Sequence, residues 1–329
     1  MSREAIVGVD VGGTVVAAAL VSLDGAVMAN AQAPTHERGP GTAPVTLEAL
    51  LDHLLGEARA QDLHVLGIGA GVPGAVDAEE GVVGEDVRNV PELAHVALAR
   101  RLRERYGLPS FVDNDVNVLA LAERWFGVAR GAKSLVLLAL GTGVGGGIIL
   151  DGRLVRGAAG YGGELGHIPV NFDDRPCFCG GRGCLKAYVA GPDIAARARE
   201  RSKNQADPRL LALAGGDPQG ITAALVFRAA QEGSSLAASL VEEVCQALGA
   251  GLAVIVNGLN PEVVLVTGGV AESLKPLERE IRDWTGRYAF ARALAATRLE
   301  VLSLDKRATA LGGAALFLYE REQRARPRA

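Results

Sequence analysis

What the sequence lacks narrows its class before any motif is read. It has no surplus of basic residues: 34 Lys and Arg stand against 38 Asp and Glu, a net charge of −4. A protein whose main partner is a nucleic-acid backbone needs a concentrated basic surface, so no nucleic-acid partner is expected. The four Arg near the C-terminus (Arg321, Arg324, Arg326, Arg328) read as a solvated, fraying end. No apolar run approaches the 18 or more residues of a membrane span, and 252–256 and 135–140 are of strand and core size, so no membrane partner is expected either. Too few apolar residues precede Asp10 to form a signal-peptide core. Cysteines are also few. Three lie between 177 and 184 and the fourth, Cys245, sits alone in an apolar stretch. That is no secreted disulfide framework, and a cytoplasmic, reducing location is expected.

What is present is a globular balance of 49% apolar and 22% charged residues over 329 positions, a length that suggests two domains. Glycine is abundant, with 43 residues against a typical share of about 7%. These glycines cluster, which points to tight turns and backbone brought close to a ligand.

Residues 5–9 read as a strand, Gly12-Gly13-Thr14 as a turn, and 15–23 as a strand running to the hairpin signal Asp24-Gly25. A strand at 26–33, a polar loop between Pro34 and Pro44, and a helix over 46–60 follow. A strand at 65–70 ends in Gly71-Val-Pro-Gly74; then come a helix at 94–106, a strand at 110–112 and a helix at 118–126. The opening pattern then recurs. A strand at 134–140 leads to a glycine turn at 141–147, a strand at 148–150 and Asp151-Gly152. Two such units suggest an internal duplication and two similar domains facing one cleft. The second half continues with a Cys-rich loop at 160–183 and a mainly helical stretch to about residue 259. There Leu236, Leu240, Val244, Leu248 and Leu252 step by four, as a buried helix does, with Asn257-Gly258 as its C-cap. A strand at 263–267 ends in Gly268-Gly269, and a strand at 299–304 and a helix from Thr309 close the chain.

Gly141, Gly143 and Gly146 fit the dinucleotide fingerprint, but that motif needs a helix next, and a hairpin follows here. No Gly-Lys-Ser/Thr is present for a Walker loop. The remaining reading is a glycine-rich turn whose N–H groups and Thr142 hydroxyl bind phosphate oxygens. Asp10-Val-Gly-Gly-Thr14 offers the same chemistry plus a carboxylate suited to hydrated Mg²⁺. The alternative is an ordinary hairpin at each place. His167, Cys177, Cys179 and Cys184 supply one imidazole and three thiolates, a closed tetrahedral zinc set with no room for a bound water, hence structural. The alternatives are three free thiols, or one disulfide with a spare. Asp115 stands in Asp113-Asn-Asp-Val-Asn117 where a strand gives way to a helix, and it could simply cap that helix. Glu164 lies three residues before His167, so a metal on His167 would fix Glu164 nearby.

With these motifs in this order, from Asp10-Val-Gly-Gly-Thr14 through Cys177-x-Cys-Gly-x-x-Gly-Cys184 to Leu311-Gly-Gly-Ala-Ala315, the sequence resembles the ROK family of sugar kinases and repressors. It looks most like the bacterial ATP-dependent glucokinases of that family. The resemblance implies an α/β, actin-like and hexokinase-like (ribonuclease H-like) fold with two domains around a cleft. The smaller would comprise 1–118 plus 306–329, the larger 119–305 with the zinc-binding loop at 160–186. It implies ATP-dependent phosphorylation of a hexose at its primary hydroxyl, glucose first, with Mg²⁺ near Asp10 bridging phosphate oxygens and sugar binding closing the domains. Asp115 would be the catalytic base, with Asn114 and Glu164 on sugar hydroxyls. His167 would face zinc with one ring nitrogen and the sugar with the other, and Gly71 and Asn89 would be further sugar contacts. Gly12, Gly13 and Thr14, with Gly141, Thr142 and Gly143, would cradle phosphates, and Gly268 and Gly269 would lie near adenosine. A homodimer or homotetramer is expected.

Two residues depart from the family pattern. Val15 stands where Lys is frequent, and Lys186 stands where the kinases usually carry a Glu that bonds the sugar. An ammonium can only donate. Lys186 is expected to turn outward, pair with Glu164, or meet an anionic substrate. The rivals are a kinase for an N-acetylhexosamine, fructose, mannose or an anionic sugar, a sugar-binding protein with weakened catalysis, and a repressor. The last would need a DNA-binding region ahead of the first glycine turn.

Overall fold

The computed structural model describes residues 3–85, 87–172, 174–303 and 308–325. The chain divides into two compact units: 1–133, 147–162 and 305–329 form the first, and 134–146 with 163–304 the second.

The first unit opens with β1 (Arg3–Val11), β2 (Val15–Ser22), β3 (Val27–Pro34), α1 (Ala43–Ala60) and β4 (Leu63–Val72). A small hairpin of β5 (Val76–Asp77) and β6 (Val82–Val83) comes next, then α2 (Leu98–Tyr106), β7 (Ser110–Asn114) and α3 (Asp115–Trp125). Val- and Ala-rich β1 and β2 are buried on both faces, which explains their unbroken apolar runs. The sheet order is β3-β2-β1-β4-β7. β1 runs antiparallel to β2 and parallel to β4, which is parallel to β7. α1 turns Leu47, Leu51 and Leu54 onto this sheet, with Pro44 set in its first turn, where a missing N–H costs nothing. α2 begins only at Leu98, not at 94, because His95 takes a left-handed φ of 61° that no helix continues through.

The second unit begins with β8 (Leu135–Leu140). The chain continues with β9 (Val144–Leu150) and β10 (Arg153–Leu154). Glycines 145–147 belong to β9, so the turn read as 141–147 is confined to 141–143. Then come α4 (Lys186–Val189), α5 (Gly191–Asn204), α6 (Pro208–Leu213), α7 (Ala223–Gln231), α8 (Ser235–Leu259), β11 (Val263–Thr267), α9 (Ala271–Leu274), α10 (Glu278–Tyr288), α11 (Ala291–Ala296) and β12 (Arg298–Val301). Leu304, the expected end of the last strand, lies outside the described residues. α12 (Ala308–Ala325) returns the chain to the first unit, where it packs on α3 and β1.

The second sheet is ordered β10-β9-β8-β11-β12, the same succession as the first. The repeated strand–glycine turn–strand pattern is therefore a repeated sheet. This doubled α/β architecture is the actin-like, hexokinase-like fold that the resemblance implies. The expected boundary at residue 118 falls inside α3, whose whole length belongs to the first unit because α12 packs along it.

α8 buries Leu236, Leu240, Val244, Leu248 and Leu252, along with Val241 and Cys245. By length and composition it could cross a membrane, although no single apolar run in the sequence is that long; 67% of its apolar window is buried inside the protein. It does not end at Asn257-Gly258. Asn257 instead bonds the backbone at Tyr288 and Phe290, and Asn260 takes the left-handed cap just before Pro261. The C-terminal Arg residues also differ from a fraying end. α12 carries Arg321 and Arg324, and Arg324 lies 4.8 Å over the Phe111 ring. Arg326 and Arg328 lie outside the described residues.

Candidate functional site

Strand register brings the first unit's candidate residues together. Asp10 on β1 is paired with Gly71 on β4, and Gly71 with Asp113 on β7. The C-terminal ends of three parallel strands thus stand level, which is where open α/β sheets bind ligands. A side chain at Gly71 would come within 2.5 Å of Val118, with the Asp115 Cα at 3.4 Å, so only glycine lets α3 approach this closely. Asp115 is the first residue of α3, and its Oδ1 accepts from the Val116 N–H at 2.8 Å.

The cap itself is Asn114. Its Oδ1 accepts from the N–H groups of Val116 (2.9 Å) and Asn117 (3.2 Å), and its Nδ2 donates to the Gly74 carbonyl at 3.0 Å. The alternative in which Asp115 is only the cap is thereby overtaken by its neighbour. These bonds use both acceptor positions of Oδ1 and one of the two Nδ2 donors, so one N–H of the Asn114 amide remains for a sugar.

The turn Gly12–Thr14 is closed by Gly12 N–H to Val15 carbonyl (2.9 Å) and braced by Thr35. Buried Thr35 donates its hydroxyl to the Gly12 carbonyl at 2.6 Å and its N–H to the Thr14 carbonyl at 2.9 Å. Asn89 sits beside this turn, its Cβ 2.6 Å from where a Gly13 side chain would begin. Val15 is partly exposed.

In the second unit, Gly141–Gly143 follows β8 and Gly268-Gly269 follows its neighbour β11, and the Val270 N–H bonds the Leu140 carbonyl at 3.0 Å. These two glycine pairs therefore lie together. The first amide of α5, Gly191, holds the Gly141 carbonyl at 2.9 Å.

The Cys/His cluster is drawn together with all four ligand atoms within 4.8 Å of one another. Cys179 and Cys184 Sγ are 3.7 Å apart, and Cys177 Sγ lies 3.5 Å from His167 Nδ1. A tetrahedron with Zn–S of about 2.3 Å and Zn–N of about 2.05 Å has edges of about 3.8 and 3.5 Å, so the donor set fits zinc. Backbone bonds from Gly183 N–H to Arg175 carbonyl (2.7 Å) and Cys177 N–H to Gly181 carbonyl (2.9 Å) shape the loop. Gly183 has φ +67°, and any side chain there would overlap the Asn171 carbonyl. The Gly181 N–H lowers the Cys179 thiol's pKa, whereas burial pushes Cys184 up to about 12. With Nδ1 toward Cys177, the His167 Nε2 lies 4.0 Å from Glu164 Oε2.

Lys186 does not meet Glu164. Its Nζ lies 2.8 Å from Asp193 Oδ2 in the first turn of α5, off hydrogen-bond alignment, and 5.0 Å over the Phe178 ring. Nor is it turned outward, with only 16% of its side chain exposed.

Sequence reasoning missed Thr35, Asp193 and a trio of buried Asp113, half-buried Arg156 and buried Glu320. Burial works against the Arg156 charge, but the two carboxylates outweigh it and hold its pKa above the ordinary value. No local pattern marks these residues; only the fold brings partners 43 and 164 positions apart into contact.

A family model described as ROK family matches residues 6–320. The chain is 34% identical over 321 residues to a glucokinase of Halalkalibacterium halodurans, covering 95% of this chain and 94% of that one. It is 33% identical over 258 residues to a xylose repressor of Caldicellulosiruptor bescii, covering 78% of this chain and 63% of the repressor. Among solved structures, a ROK family glucokinase from Streptomyces griseus in complex with glucose and AMPPNP matches with a TM-score of 0.75 at 30% identity, covering 96% of this chain and 99% of that one. The family match runs from β1 into α12 and takes in both glycine turns and the Cys/His cluster, and the chain belongs to the ROK family.

Proposed function

We propose that the protein is a sugar kinase that transfers the γ-phosphoryl group of ATP to the primary hydroxyl of a hexose, glucose first. The observation that carries this reading is Asp115 at the head of α3, beside Gly71 and level with the end of β1. The glucokinases among its relatives support the same substrate.

Phosphoryl transfer asks for positioning and neutralised charge more than for covalent help. Asp115 takes the proton of the hydroxyl as its oxygen attacks the γ-phosphorus in line, and ADP leaves with the electrons of the broken P–O bond. Gly71, Asn89, Asn114, Glu164 and His167 bind sugar hydroxyls, Asn114 through the Nδ2 hydrogen that its bond to Gly74 leaves over while its Oδ1 holds the turn. The amides of Gly13 and Thr14, with those of Thr142 and Gly143, hold phosphate oxygens, in turns that Gly12 and Gly141 close through their own N–H groups to the Val15 and Gly143 carbonyls, and Gly268 and Gly269 line the adenosine. Asp10 is the residue suited to hold Mg²⁺, which when bound supplies charge neutralisation at the phosphates. His167, Cys177, Cys179 and Cys184 would hold a structural zinc that fixes the loop bearing Glu164.

A reducing, cytoplasmic setting goes with this reading, because Cys177, Cys179 and Cys184 must stay thiolates to hold a metal. Assembly as a homodimer or homotetramer remains part of the proposal, supported by the exposed rings of Phe172 and Phe290. A second reading, a sugar-binding protein with weak catalysis, is favoured by Lys186 alone. The test is a panel of glucose, mannose, fructose, N-acetylhexosamines and sugar acids with ATP in a coupled ADP-release assay. Glucose-dependent ADP release supports the kinase; glucose binding without turnover supports the second reading; preference for another sugar replaces glucose.

A further inference from the structure

Asp113 is buried, 1% exposed, two residues before Asp115, and its carboxylate is held on both sides. Oδ2 accepts from Arg156 Nε at 2.7 Å, and Nη2 lies 2.7 Å away as an ion-pair contact. Oδ1 accepts from the Asn114 N–H at 2.7 Å and from Asn117 Nδ2 at 2.9 Å. The donors on Oδ1 thus belong to the cap and first turn of α3, on either side of Asp115. Asn117 gives its amide donor to Asp113 even though its own buried Oδ1 then has no partner among the described residues.

Arg156 is itself fixed from behind. Its Nη2 meets Glu320 Oε1 on α12 at 2.6 Å, and its guanidinium lies 5.5 Å from the Tyr319 ring. The Tyr319 hydroxyl accepts from the Leu154 N–H at 3.0 Å, two residues before Arg156. A guanidinium shared by two shielded carboxylates adds little net stability, because desolvating three charges offsets most of their attraction. What it does add is direction, since Nε and Nη2 diverge at fixed angles from one rigid plane and so hold the Asp113 and Glu320 carboxylates in a set relation.

From this geometry we infer that Arg156 is a positioning residue for phosphoryl transfer: through Asp113 it sets the β7–α3 turn and so the aim of the Asp115 carboxylate. It acts through Asp113 and touches no substrate in this role. The inference rests on the reading of Asp115 as base.

The test uses the full chain with glucose and ATP, comparing R156Q, R156K and R156Q/D113N with D115N. Misplacing a reacting group by about an ångström costs on the order of a hundredfold, so R156Q should lose about that much kcat. Its KM for glucose and ATP should stay within about threefold, the signature of an interaction felt only in the transition state. R156K, which keeps the charge and a donor, should recover part of kcat. R156Q/D113N removes the uncompensated carboxylate and should recover melting temperature without recovering kcat. Recovery of both together would mean that Arg156 merely balances the Asp113 charge, and would overturn the inference. A loss in R156Q matching its folded fraction would do the same, and if R156Q does not fold, the double variant decides. D115N separates the two readings: full activity there removes the base itself, whereas an inactive D115N beside an active R156Q/D113N removes only Arg156.

Discussion

Lys186 is tied to Asp193, their charged atoms 2.8 Å apart, with the Lys186 ammonium resting over the Phe178 ring. The cation at the position where the resemblance leads one to expect a sugar-bonding Glu is therefore paired with its own neighbour. A neutralised ammonium is a weak recruiter of anionic sugars, which favours a neutral hexose bound with one contact fewer.

Lys186→Glu alone should not restore that contact, because the new carboxylate would face Asp193 and like charges repel. The double variant K186E/D193N should. One charge-assisted hydrogen bond is worth about 1.5–3 kcal/mol, so its glucose KM should fall by about tenfold or more. Steady-state kinetics on the wild type, both singles and the double would measure this. An unchanged KM in the double would mean that position 186 does not reach the sugar.

Asp115→Asn should lower kcat by about a hundredfold or more, the range for lost general-base catalysis, while glucose affinity by calorimetry changes little. Activity near that of the wild type would remove Asp115 from the mechanism.

Asn114→Ala tests the cap apart from the base. It removes two accepted backbone bonds and the donation to Gly74. Loss of such a cap costs about 0.5–2 kcal/mol, read as a lower urea midpoint. Because Asp115 follows directly, kcat should fall along with stability. A stable, fully active variant would show that the turn holds itself.

Much of this architecture was legible because it is local. The two glycine turns, the two Asp-Gly hairpins and the cysteine spacing each lie within a few residues, and the doubled sheet follows from their repetition. The stripe Leu236 to Leu252 announced α8 because a buried helix repeats on its own axis. Failures occurred where a distant partner decides. Asn257 looked like a cap from its neighbour Gly258, yet its amide is claimed by residues at 288 and 290. The Arg156 trio is invisible for the same reason, since charges at large separation carry no period; the nearby Lys186–Asp193 pair is hidden because a break between α4 and α5, not a helical repeat, sets it. In the sequence Asp113 stands out only as part of a motif around Asp115, although burial beside an Arg gives it a task of its own.

The Cys/His cluster yields the last prediction. Protein purified without added zinc should contain about one zinc per chain, because three thiolates and an imidazole at tetrahedral spacing have high affinity. Chelation should lower the melting temperature, since metal binding and loop folding are coupled. The loop will not unravel entirely, because Arg175 pairs with Glu243 on α8 at 2.6 Å and stacks 4.1 Å over Tyr188. Zinc loss should therefore act first on the short stretch from Cys177 to Cys184 and on the His167 ring, and through it on Glu164, 4.0 Å away. The kinetic consequence is a rise in glucose KM that exceeds the fall in kcat, reversed when zinc is restored. Gly183→Ala should mimic it, because a methyl group there collides with the Asn171 carbonyl. A metal-free protein with unchanged melting temperature and glucose KM would leave the four residues as free thiols and a histidine.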